Sequence, residues 1–154
     1  MKEMDTQKEI RVWQRVKNEA QTVSSPQVCD NLQTLIMEQM QVAAAYLQLS
    51  HRTVSVEATA LMRLARQSRA QTACLKGLNI LITEKGTEAQ IIPAQKGTVE
   101  ALLRWCYGQE LRLMKSYENH RTDPEYGPVF ERMAQRSREH CCLVLELMGG
   151  LGRK

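Results

Sequence analysis

The chain has 154 residues, of which 43% are hydrophobic, 25% are charged and only 5% are aromatic. This length fits one domain with a real core, and the balance of residue types is that of a globular protein. The formal net charge is +4, but Lys and Arg are scattered among Asp and Glu along the whole chain. A mixed, solvated surface is therefore favoured over a nucleic-acid interface, which would gather its basic residues on one face.

The cysteines also bound the class of protein. There are five, an odd number, and none forms a CxxC motif, so we expect a reduced chain with free thiols. We interpret four of them as small core residues: Cys74, Cys106, Cys141 and Cys142. The first residues lack the apolar run of a signal peptide, and no stretch approaches the roughly 20 apolar residues of a membrane helix. We therefore expect a cytoplasmic protein with no membrane partner.

Residues 1–22 are predicted to form a short helical arm. Ile10, Trp13 and Val16 recur in this segment at helical spacing and would share one side of the helix. Such an arm could dock against its own bundle or against a second subunit. Pro26 follows a break and suits the first turn of a new helix.

Two long helices are predicted next. Apolar residues keep a three-to-four spacing from residue 26 to about residue 50, and again from Ser55 onwards after a short break. Gly86 would terminate the second of these helices. The segment 87–94 contains Ile91-Ile92-Pro93 and is predicted to be extended, because a residue before proline avoids helical geometry.

Two further helices complete the pattern. The third is predicted from about Lys96 to Asn119, and Asp123 would cap the fourth just before a proline. The fourth would stop at Gly149-Gly150, leaving a frayed tail at 149–154. The bundle domain thus covers residues 26–148.

The lengths of the connections predict how these helices are joined. The first and third connections are short, so each joins two antiparallel helices. The middle connection has about a dozen residues, which can span roughly 40 Å when extended, and a helix of about 26 residues is equally long. It can therefore pass along the whole bundle as a single crossover.

The two halves of the chain also repeat each other. The segment LMRLARQSRAQ at 61–71 corresponds to FERMAQRSREH at 130–140, with an identical Arg, Ala, Ser and Arg at matching places. A weaker match relates Gln39 and Tyr46 of the first helix to Glu110 and Tyr117 of the third, because each pair is separated by seven residues. Two similar helical hairpins support the predicted crossover.

Over residues 28–148 this pattern resembles the ferritin-like, rubrerythrin-type family. In that family the first and third helices each carry an inward Glu, with a Tyr about two turns further on. The second and fourth helices each carry Glu-x-x-His, and these side chains together hold two iron ions for oxygen or peroxide chemistry. The resemblance implies an all-α, ferritin-like four-helix bundle with one long crossover between helices two and three.

Most of the implied ligand positions carry other residues. Only Glu110 and His140 keep a normal ligand, and Glu38 stands beside one replaced position. Two iron ions need hard carboxylate oxygens to offset their charge, so this set predicts a degenerate di-iron site. The four replaced positions are polar: Gln39, Ser68, Gln71 and Ser137.

Two interpretations of these positions stay open. Glu110, His140 and Glu38 are candidate ligands for iron or another divalent metal. Alternatively, Glu110 and His140 form a hydrogen-bonded pair in a polar core with the four replaced positions, and we favour this reading. Tyr46 and Tyr117 would line the site in either case. We expect no cofactor, and the sequence identifies no catalytic residue.

Three functions are compatible with this pattern. We predict a ferritin-like bundle that has lost its di-iron centre and acts as a binding or assembly module, as a homo-oligomer and most simply a dimer, with no nucleic-acid partner. The first alternative is a divergent iron oxidoreductase of the rubrerythrin type that uses Glu110, His140, Glu38 and Glu139. The second is a small-molecule binder with a pocket at the former metal site.

Overall fold

The computed structural model describes residues 26–88 and 90–151, with side chains from Asn31 onwards. The predicted arm at 1–22 lies outside this part of the chain, as do the last residues of the predicted tail. The described residues form an all-helical bundle without β-strands, which confirms the all-α, four-helix part of the predicted fold class. Its four helices are α1 (Pro26–His51), α2 (Ser55–Thr83), α3 (Val99–Asn119) and α4 (Gly127–Leu151).

Short polar side chains accept backbone hydrogen bonds at the start of α3 and in the turn before α4, which begins at Gly127 rather than directly after the predicted cap, Asp123. The hydroxyl of Thr98 accepts a hydrogen bond from the Ala101 N–H at 3.1 Å, so α3 starts slightly later than predicted. Before α4, Asp123 Oδ1 accepts from the backbone N–H of Tyr126 at 3.0 Å. These bonds occupy backbone donors that have no partner inside the helix.

The two helix ends that were predicted at glycines are wrong. α2 ends at Thr83 rather than at Gly86, and it is Glu84 that takes the left-handed conformation, with φ of 61°. At the other end of the bundle, α4 continues through Gly149-Gly150 to Leu151. The apolar neighbours Leu147, Met148 and Leu151 pack against the core, and this outweighs the weak intrinsic helix propensity of Gly149-Gly150.

The helices pack as two hairpins around one core. α1 packs closely on α2, and α3 packs closely on α4. Across the hairpins, α1 contacts α3 over a smaller area, and α2 and α4 touch only briefly. No helix in the described part of the chain is both long and apolar enough to cross a membrane. The largest apolar side chains with almost no exposure include Leu32, Ile36, Leu49, Leu61, Leu64, Leu75, Leu103, Leu113 and Phe130.

The linker at 84–98 connects opposite ends of the bundle. The end of α2 lies beside the start of α1, where Gln33 Nε2 donates to Asn79 Oδ1 at 3.3 Å. The end of the linker lies beside the end of α1, where Gln48 and Gln95 exchange two hydrogen bonds of 2.6 and 3.0 Å. The linker therefore passes along α1, and α3 runs antiparallel to α1.

Candidate functional site

Polar side chains from all four helices meet in the middle of the bundle. Each of these side chains is at most 6% exposed. Their spacing explains how the helices present them, because residues seven apart on α1 or α3 and three apart on α2 or α4 share one helical face. We call this set the central polar layer, and it consists of Gln39, Tyr46, Ser68, Gln71, Glu110, Tyr117, Ser137 and His140.

Glu110 is the acceptor of one half of this layer. Its Oε1 accepts a hydrogen bond of 2.9 Å from the Tyr46 hydroxyl and lies 3.0 Å from His140 Nδ1. The other ring nitrogen of His140, Nε2, lies 2.8 Å from Gln67 Oε1. Glu110 and His140 are both fully buried, so each satisfies much of the hydrogen-bonding need of the other.

Gln39 is the acceptor of the other half. Its Oε1 accepts a hydrogen bond of 2.6 Å from the Tyr117 hydroxyl and another of 3.1 Å from Gln71 Nε2. Both bonds join neutral groups, in contrast to the carboxyl and imidazole of the first set. This half of the layer therefore repeats the hydrogen-bond pattern with two amides in place of the carboxyl and the imidazole.

The two halves are related by the repeat in the sequence. Gln39 corresponds to Glu110, and Gln71 corresponds to His140. In each half the acceptor receives a donor from the second helix of its own hairpin and a tyrosine hydroxyl from the first helix of the other hairpin. The layer thus has an approximate twofold pattern, and the tyrosines tie the two hairpins together.

Four atoms of the central polar layer have no hydrogen-bond partner among the described residues: Gln39 Nε2, Ser68 Oγ, Glu110 Oε2 and Ser137 Oγ. They too follow the repeat, since they fall on two corresponding pairs of positions. One is an amide donor, one is a carboxyl acceptor, and the two hydroxyls can do either. A buried polar atom without a partner costs about 1–3 kcal/mol, so these atoms favour a small polar guest such as water.

Burial controls the acid–base behaviour of the groups around Glu110. The pKa values of Tyr46 and Tyr117 are raised well above the usual value for tyrosine. Burial is the larger cause, and the nearby Glu110 is the second. The same causes raise the pKa of the Cys106 thiol above its usual range and that of Cys141 to about 11. The phenols therefore remain hydrogen-bond donors at neutral pH, and the two thiols remain protonated and weakly nucleophilic.

The donor set does not fit a two-iron centre. Glu38, a predicted ligand, is paired instead with Arg112 at 3.1 Å and does not join Glu110 and His140. Within residues 26–88 and 90–151, no three His, Cys, Asp or Glu side chains are grouped so that they could hold a metal ion. One carboxyl and one imidazole among amides, hydroxyls and phenols offer too little negative charge for two iron ions.

Several predicted positions lie elsewhere. Glu139 is exposed and does not reach the layer. The cysteine prediction was half wrong, because Cys106 and Cys141 are buried whereas Cys74 and Cys142 are exposed. Adjacent helical residues point about 100° apart, so a buried Cys141 leaves its neighbour on the surface.

The contact between Gln67 and His140 was not predicted from the sequence. Gln67 is only half-buried, it precedes Ser68, and nothing in the hydrophobic pattern distinguishes it from the polar residues around it. Its place four residues before Gln71 was the one available signal, because that spacing puts both side chains on the same side of α2.

His120 has a structural environment away from the layer. Its Nε2 lies 3.4 Å from Asn31 Nδ2, and its ring centre lies 5.1 Å from that of Phe130. Burial lowers the pKa of His120, and this effect is partly opposed by Asp123. These contacts join the end of α3 to α1 and α4 and suggest a packing role.

Comparison with known proteins adds no family to this description. No protein-family model matches the chain, and neither the curated proteins nor the solved structures include a match. The function must therefore be argued from the geometry of the central polar layer and from the surface of the bundle.

Proposed function

We propose that this chain is a ferritin-like bundle in which a hydrogen-bonded polar layer has taken the place of a di-iron centre. The protein acts as a binding or assembly module and pairs with a second copy of itself. The connectivity supports this fold, because two helical hairpins are joined by a linker that passes along α1. The free cysteines at 74, 106, 141 and 142 suit a reducing compartment such as the cytoplasm.

The observation that carries the proposal is the pairing within the layer. Glu110 and Gln39 stand at corresponding positions, and each uses one oxygen to accept two hydrogen bonds from protein side chains. His140, the retained imidazole, has an oxygen near each of its ring nitrogens. Metal binding would require these hydrogen bonds to be broken, and the layer would offer the metal only one carboxylate, that of Glu110.

Metal analysis tests the loss of the di-iron centre. The full chain, expressed in iron-rich medium and also incubated anaerobically with Fe(II) before desalting, should retain far less than one iron per chain. Glu110→Gln is the matched variant, because it removes the carboxylate but keeps an acceptor oxygen in the layer. Near-stoichiometric iron that is lost in Glu110→Gln and in His140→Ala would favour the iron oxidoreductase instead.

Light scattering after size-exclusion chromatography tests the assembly part. We expect a mass of two chains across the accessible concentration range. A strict monomer at high concentration would contradict assembly, although it would leave the hydrogen-bonded layer untouched.

The unpartnered atoms of the layer favour a second candidate, a binder of a small polar molecule. Gln39 Nε2, Glu110 Oε2 and the two serine hydroxyls could surround a guest with both donors and acceptors. A high-resolution crystal structure distinguishes the two functions. Density larger than water between Ser68 and Ser137 would support a bound ligand, whereas water alone would support a purely structural layer.

A further inference from the structure

The outer face of the first hairpin carries a groove that shares no residue with the central polar layer. The groove encloses about 410 Å³ between α1, α2 and the linker, which is within the range of small-molecule sites. Small side chains explain the space, because alanines line both helices where larger residues would have closed the gap. The apolar lining consists of Met40, Ala43, Ala44, Leu47, Ala73 and Ile92.

Two cations stand along one side of this groove. Arg69 and Lys76 both line it and are seven residues apart on α2, which places them on the same helical face about 10 Å from each other. Neither forms an ion pair with another residue in the described part of the chain. The side chain between them, Thr72, uses its hydroxyl to donate to the Ser68 carbonyl oxygen at 3.0 Å.

We propose that the groove binds an aliphatic monocarboxylate. Its hydrocarbon chain lies on the alanines of α1 and α2 between Met40 and Leu47, and its carboxylate contacts Arg69 and Lys76. The apolar lining favours a flexible hydrocarbon, because it offers no buried polar partner and contains an adaptable methionine. The unpaired cations select a negative headgroup over a neutral or positive one.

The groove and the central polar layer are separate sites. No groove residue belongs to that layer, and carboxylate binding requires neither metal binding nor the small polar guest considered above. Loss of the iron-related proposal would therefore leave this one standing, and the reverse also holds.

Isothermal titration of the full chain with three ligands of equal chain length tests the headgroup. Decanoate, 1-decanol and decyltrimethylammonium differ in charge and share their hydrocarbon chain. We expect decanoate to bind about tenfold more tightly than decanol, which corresponds to about 1.4 kcal/mol for its charge-assisted contacts with Arg69 and Lys76. The advantage should decrease as salt is added, because the cations are accessible to solvent.

Substitutions locate the site. The double variant Arg69→Gln/Lys76→Gln should weaken decanoate about tenfold and leave decanol unchanged. Arg104→Gln/Lys115→Gln removes the same charge from α3 and should leave both affinities unchanged. Ala73→Leu should abolish binding of both ligands, because it fills the groove while keeping a good helix former.

Three outcomes would overturn the proposal. Equal affinity for all three ligands would show that the carboxylate makes no contact with Arg69 and Lys76. Unchanged decanoate binding in both Arg69→Gln/Lys76→Gln and Ala73→Leu would place binding elsewhere. If decanoate does not bind and Ala73→Leu instead dissociates a dimer in light scattering, the groove is an interface between two copies of this chain.

Discussion

The hairpin of α1 and α2 contributes Gln39 and Gln71 to the central polar layer, whereas the hairpin of α3 and α4 contributes Glu110 and His140 at the corresponding places. The hydrogen-bond geometry is shared, since each acceptor receives one donor from its own hairpin and one tyrosine hydroxyl from the other. The chemistry differs, because the first half holds only amides and the second holds an acid and a base. One arrangement of helices therefore supports both sets.

This comparison indicates where the layer should be most sensitive. Burying an ionisable pair is tolerated only while both partners are present, and a lone buried charge is far more costly than a lone amide. We therefore expect the two halves to respond differently to matched substitutions, even though their structures are alike.

The largest expected effect is that of Glu110→Leu. The change removes the acceptor of both Tyr46 and His140, and loss of one member of a buried, hydrogen-bonded acid–base pair costs up to about 3–5 kcal/mol. Glu110→Gln, the matched control, keeps an acceptor oxygen and should cost only about 1 kcal/mol. Urea unfolding followed by circular dichroism measures both, and equal losses would show that the acceptor oxygen retained in Glu110→Gln does not contribute to stability.

Gln39→Leu tests the neutral half in the same way. It leaves the Gln71 amide and the Tyr117 hydroxyl without their acceptor, and we expect a loss of about 2–3 kcal/mol in the free energy of unfolding. The effect should thus be smaller than that of Glu110→Leu in the same denaturation experiment. A larger loss in Gln39→Leu would reverse the proposed difference between the halves.

The tyrosines sharpen the comparison further. Tyr46→Phe removes a hydrogen bond to a carboxyl group and should cost about 2 kcal/mol, whereas Tyr117→Phe removes one to an amide and should cost about 1 kcal/mol. Both variants keep the buried ring, so packing is nearly unchanged. Indistinguishable unfolding midpoints for the two variants would argue that Glu110 and Gln39 are equivalent acceptors.

The pH dependence of stability gives the smallest effect, because it is absent at physiological pH. Its direction at alkaline pH is nevertheless clear. The pKa of Tyr46 and Tyr117 is raised in the folded state, so above about pH 10 the unfolded chain releases protons that the folded chain retains. The two phenols therefore do not change the stability below that pH, and their contribution lowers it as the pH rises beyond about 10.

Ultraviolet absorbance of tyrosinate checks this prediction. The phenols of Tyr46 and Tyr117 should ionise only when the helical circular dichroism is lost. The step that accompanies unfolding should shrink by one phenol in Tyr46→Phe and by one in Tyr117→Phe. Ionisation of both phenols in the folded protein would contradict their burial.

Much of the site could be located from the sequence because it repeats. The match between 61–71 and 130–140 identified Ser68, Gln71, Ser137 and His140 as corresponding positions, and all four are buried in the structure. Helical periodicity makes this inference sound, because the residues of such a match share one face of each helix. The outcome for Glu38 differs, because its carboxylate is paired with Arg112 of another helix.

The pairing of side chains across the bundle could not be obtained in this way. Tyr46 bonds Glu110 rather than Gln39, the acceptor on its own helix, because α1 and α3 run antiparallel and bring the tyrosine of one to the level of the acceptor of the other. The contact between His140 and Gln67 depends in the same manner on how α2 and α4 are rotated.

The sequence by itself determined that the bundle is helical, where α1 and α2 begin, and which polar residues share a buried face with the leucines. Periodicity carries this information because it is local to each helix. Only the tertiary structure decided which donor meets which acceptor, which cysteines are exposed, and that a groove lies outside the polar layer with two cations that have no ion-pair partner among the described residues. These features depend on the heights and rotations at which whole helices pack, and those are set jointly by all the side chains of the core.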